Sequence, residues 1–148
     1  MTLTRLSNAE VAIFQLDDAL TLYLEDRKLV SAITLAGAAE EILGRLCETE
    51  GKPSSLSRHA EFARDLYLHV RPLFPYPSDV DPGTKPFVKL RNETKNRLKH
   101  FVSDDSIEVD LEEAAGRLIA HAVENYQCLF GYETAKMREF QRKRLKLN

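Results

Sequence analysis

Apolar residues recur at three- and four-residue intervals along almost the whole chain. No run alternates apolar and polar residues between Asn-Gly or Asp-Gly turns. A period near 3.6 builds helices, whereas a half-buried sheet needs a period of two. The expected fold is all-α: an up-and-down antiparallel bundle of four main helices, with a short extra helix and a C-terminal helix. The chain has 148 residues, the length of one domain. A domain of that size buries roughly 68–70% of the surface its unfolded chain exposes. Residues 1–148 are read as a single domain, with residues 133–148 as a basic C-terminal appendage.

Local signals place the helices. Ser7-Asn8-Ala9-Glu10 fits a capping box, so helix one starts at Ser7. Ile13, Leu16, Leu20, Tyr23 and Leu24 then share one face, and Val11, Phe14 and Leu22 form a second apolar edge. The charges of residues 25–28 mark a tight turn. Helix two runs over residues 28–50, and Gly51 and Pro53 close it. Ser54 or Ser55 caps a third helix ending near Leu73. Residues 75–86 hold four prolines and a glycine and are read as a surface connector. Helix four is expected over residues 87–102, with Phe87, Leu90, Thr94, Leu98, Phe101 and Val102 as its apolar face. Asp110 caps helix five, which stops at Gly131 and carries Asn125 and Tyr126 against the bundle.

Charge placement is the most informative chemical feature. On helix two, Leu29, Ile33, Ala36, Leu43 and Cys47 form a narrow apolar arc, and Glu40 falls in its middle. A carboxylate centred on a core face needs a partner. Arg91 and Lys95 sit within and beside the apolar face of helix four, so Glu40 is expected to pair with Arg91 or with Lys95 inside the bundle. A structural ion pair and a catalytic charge both fit that placement.

The net charge of −2 excludes nothing by itself, but the basic residues are clustered. Residues 85–100 carry six Lys/Arg against one acid, and residues 136–146 again carry six against one. Such runs suit phosphates or acidic partners, and equally suit solvated helix faces. Arg97 and Lys99 are candidate binding residues there. Cys47 and Cys128 lack a C-x-x-C partner, and His59, His69 and His121 lack metal-ligand spacing, so no metal or cofactor is expected. No stretch is long and apolar enough to span a membrane, and a cytoplasmic setting is expected.

The helix carrying Ala36-Gly37-Ala38-Ala39-Glu40-Glu41-Ile42-Leu43, followed later by Asn96-Arg97-Leu98-Lys99-His100-Phe101, resembles the HEPN superfamily of helical-bundle proteins. The resemblance covers roughly helices one to five. It implies a HEPN-like domain that works as a homodimer. Active members cleave RNA without metal, through an Arg, a polar residue and a His. Here Lys95, Asn96 and His100 occupy those places, with Lys95 in place of the Arg, and Arg91 lies one turn earlier. By that likeness His100 would be the general acid or base, and Lys95 and Arg91 would stabilise phosphate charge. Asn96 would orient His100, and Glu40 would position a basic residue. Lysine is a point charge without the guanidinium fork. The leading expectation is therefore a HEPN-like module that binds RNA or a partner protein. The alternative is a metal-independent, toxin-like ribonuclease with its site at the dimer interface, for which the resemblance implies a nucleotidyltransferase-type antitoxin partner.

Overall fold

The computed structural model describes residues 3–74, 80–99, 106 and 108–147, with backbone only at Thr94, Lys99 and Leu147. The chain is an all-α bundle, and the described residues contain no strand. Its helices are α1 (Asn8–Thr21), α2 (Leu29–Thr49), α3 (Ser55–Val70), α4 (Lys85–Lys99), α5 (Leu111–Phe130) and α6 (Ala135–Leu147). None is long and apolar enough to cross a membrane.

The expected caps form. Ser7 Oγ accepts from the Glu10 N–H at 3.2 Å, and the Glu10 carboxylate accepts from the Ser7 N–H at 2.8 Å. These satisfy backbone donors that a helix start leaves free. After α1 the chain widens into a π turn over Leu22–Asp26 and ends on Arg27 in the left-handed region, φ 56°. That kink reverses the chain into α2. The Arg27 guanidinium then reaches α5 and grips both oxygens of Glu112, at 3.0 and 2.6 Å.

The core lies where α2 packs along α5 on one side and α1 on the other. Ala32, Ala36 and Ala39 on α2, with Ala12 and Ala19 on α1, keep the axes close. Leu16, Leu20, Ile33, Leu43, Ile119 and Val123 fill the space, and all are buried. Fully burying one such Leu or Ile contributes about 1.5–3 kcal/mol. The second apolar edge of α1 stays outside this core at Phe14, which is 56% exposed.

One helix differs from expectation. The fourth starts at Lys85, two residues early, because Pro86 falls in the first turn, where its missing N–H costs nothing. Its inward face also differs. Leu90 is 71% exposed, whereas Lys95 is buried and Arg91 nearly so. The face turned inward is the one whose charges α2 can neutralise, and Leu90 is left outside. Phe101 and Val102, also assigned to that face, lie outside the described residues. The basic sixth helix is also docked on the bundle. Met137 and Phe140 enter the core, and Phe140 meets Tyr23 edge-on at 5.4 Å between ring centres. Lys136 ties α6 to α1 through Asp17 at 2.7 Å and Thr21 at 2.8 Å.

Candidate functional site

Helix α2 carries Glu40 into the interior, where its residue exposure is 3%. Both anticipated cations meet it. Arg91 Nη2 lies 3.3 Å from Oε1, and Lys95 Nζ lies 3.5 Å from Oε2. The pair Arg91 and Lys95 is spaced i, i+4 on α4, so both point to one side of that helix. The three side chains sum to one positive charge in a nearly dry space. Burial pulls the Arg91 pKa below its usual value, opposed by the nearby Glu40 and Glu124 carboxylates.

A second layer fastens this triad to the other helices. Arg91 Nη2 also donates to Ser55 Oγ at 3.3 Å, and Ser55 Oγ donates to Glu124 at 2.6 Å. Asn125, fully buried on α5, accepts from the Ser55 N–H at 2.6 Å and donates to the Glu40 carbonyl at 3.1 Å. Its side chain thus caps the start of α3 and holds the backbone of α2 at the triad. Gly44 makes room for it, since a Cβ there would sit 3.3 Å from Asn125 Nδ2. Glu124 in turn faces Arg58 at 3.4 Å and His59 at 3.3 Å.

The other sequence candidates are dispersed. Asn92, Lys95 and Asn96 line one cleft of about 370 Å³ between α2, α3 and α4. Glu40, Glu41 and Glu48 line the same cleft, against Lys95 and Arg45. Three carboxylates facing two cations disfavour a phosphate there. Arg97 is exposed and donates to the Ser106 carbonyl at 3.3 Å. The backbone of Lys99 ends α4, and His100 lies outside the described residues. Among the described residues no group of three His, Cys, Asp or Glu side chains is placed to hold a metal ion.

No family model, characterised protein or solved structure matches this chain. The site therefore rests on its own geometry.

Sequence spacing missed one meeting altogether. His59 of α3 and His121 of α5 are far apart in the chain, yet their rings pack edge-on at 4.8 Å. His121 is 6% exposed, and its Nδ1 has no hydrogen-bond partner. Burial, then the positive charges of Arg91, His59, Arg117 and Arg144, hold its pKa down to about 3. In the unfolded chain the imidazole titrates near 6.5. Below about pH 6.5 the unfolded chain takes up a proton that the folded one refuses until about pH 3. Stability from this residue is therefore complete above the unfolded pKa and lost as pH falls towards the folded one. Urea denaturation is expected to show a loss of about 2 kcal/mol between pH 7 and pH 5. His121→Gln should flatten that dependence. An unchanged slope in the variant would assign it to another group.

Proposed function

We propose that this chain is a HEPN-like binding or assembly module of the cytoplasm, in which Arg91 and Lys95 hold the bundle together rather than a scissile phosphate. The observation supporting this is the closed Glu40–Arg91–Lys95 triad, which commits both cations to a buried carboxylate. Contacts to RNA fall to the exposed basic residues Arg97, Arg138, Arg142 and Lys146. Assembly is as a homodimer, supported by the exposed Phe14 on the free edge of α1. Sedimentation equilibrium that reports only a monomer at high concentration would remove the dimer.

The second reading is a metal-independent ribonuclease partnered by a nucleotidyltransferase-type antitoxin. One observation favours it: Asn92, Lys95 and Asn96 share a cleft on the helix that leads directly to His100. A labelled single-stranded RNA, incubated in chelator and followed by anisotropy and by gel, separates the two. The binding module is expected to leave the RNA intact and to lose at least about tenfold in affinity between 50 and 200 mM salt. Cleavage that disappears in His100→Ala would replace it with the ribonuclease. Absence of binding at low salt would restrict the module to protein partners.

A further inference from the structure

On the face of the triad turned away from the acidic cleft lies a second cavity, of about 270 Å³, between α3, α4 and α5. That is near the lower end of the roughly 300–1,000 Å³ typical of small-molecule sites. Its walls divide by chemistry. Phe87 and Leu90, with two alanines of α3, form an apolar side, and His59, Arg91, Arg117 and His121 form a polar one. No carboxylate lines it.

The polar side carries hydrogen-bonding capacity that the protein does not use. Arg91 spends Nη2 on Glu40 and Ser55, and its buried Nη1 has no partner. His121 is more than nine-tenths buried, and its Nδ1 is also without a partner. Buried polar atoms are nearly always satisfied, so two unpartnered atoms on residues that line one cavity call for an explanation. Among the described residues, Arg117 is bound only by an exposed i, i+4 pair with Glu113 at 3.1 Å. Such a pair is worth about 0.3–0.5 kcal/mol, so its guanidinium is readily given up to a ligand. Arg91 from α4, Arg117 from α5 and Arg144 from α6 turn positive charge towards His121, while Glu113 pairs with Arg117 and Arg144 and Glu124 faces His59 from outside the lining.

We propose that this cavity binds a small anion whose phosphate or carboxylate group is carried on an apolar ring. Arg117 takes the anionic oxygens with His121 beside it, Arg91 adds its positive charge from the wall while its Nη2 stays on Glu40 and Ser55, and Phe87 and Leu90 cover the ring. Guanidinium groups suit the planar, two-oxygen edge that both anions present. The site is independent of the RNA reading above, because it shares neither the basic face of α6 nor His100.

The test uses phenyl phosphate, benzoate and inorganic phosphate as probes, by calorimetry on the full chain at pH 7 and constant ionic strength. Saturable binding of phenyl phosphate or benzoate is expected, with the tighter of the two identifying the anionic group. Inorganic phosphate should bind at least about tenfold more weakly than phenyl phosphate, since it leaves the apolar wall bare. Arg117→Ala should weaken binding about tenfold or more, whereas Lys28→Ala, which removes the same charge elsewhere, should not. In the unaltered chain the His121 imidazole nitrogen signals should shift with the same midpoint as the calorimetry, a readout that needs no variant. No saturable binding of any probe, equal effects of Arg117→Ala and Lys28→Ala, or unmoved His121 signals would each overturn the assignment.

Discussion

Glu40→Gln is expected to be among the most damaging single substitutions in this protein. The change keeps the shape of the side chain and removes only its charge. Arg91 and Lys95 would then share a nearly dry space, 11% and 7% exposed, with no carboxylate in direct contact among the described residues. Removing one partner of a buried ion pair costs about 3–5 kcal/mol, most of it the burden of the charge left behind. For a domain of this size each kcal/mol moves the melting temperature by about 2–4 °C, so thermal denaturation should show a fall of about 10 °C. The triple substitution Glu40→Met, Arg91→Met, Lys95→Met should recover most of the loss, because it removes all three charges and fills their volume. A Glu40→Gln loss below about 1 kcal/mol would mean that the interior tolerates the two cations unaided, and the triad would lose its structural role.

Asn125→Leu should come close behind. Leucine has nearly the same size, so packing changes little, but both amide bonds disappear. The Ser55 N–H, which the start of α3 leaves without a helical partner, would be buried and unpaired, and the Glu40 carbonyl would keep only its bond within α2. The unsatisfied N–H and the lost bond to the carbonyl cost about 2–4 kcal/mol together. The effect has a local signature. Ser55 opens α3, so amide exchange should accelerate in the first turn of that helix before the rest of the bundle is affected. Uniform acceleration across all helices would show that Asn125 supports the core in general and not the α3 junction.

Much of the fold was legible because helix formation is local. The capping box at Ser7, the Asp110 cap and the Gly131 stop depend on residues a few positions apart, and each appears in place. Glu40 was legible for a related reason: a charge at the centre of an apolar arc demands compensation wherever the helix packs. The facing of α4 was not legible. Its wheel gave one apolar face, with Leu90 on it, Arg91 within it and Lys95 on its edge, and only the presence of Glu40 opposite turns the charged edge inward and leaves Leu90 outside. Asn125 was expected to lie against the bundle, but nothing in its neighbours reveals that it would cap α3, 70 residues earlier in the chain. The meeting of His59 with His121 was hidden in the same way, since its two halves are separated by the whole of α4.

The amino-acid order alone determined that this chain is helical, where most of its helices begin and end, and that Glu40 must be answered by a cation. These follow from backbone hydrogen bonding and from a helical period that any short window displays. Only the tertiary structure decided that two cations answer it, that α6 belongs to the core, and that a carboxylate-free cavity opens beside Arg91 and His121. Those outcomes depend on which helix faces meet, and that choice is made by packing and charge neutralisation between residues distant in sequence.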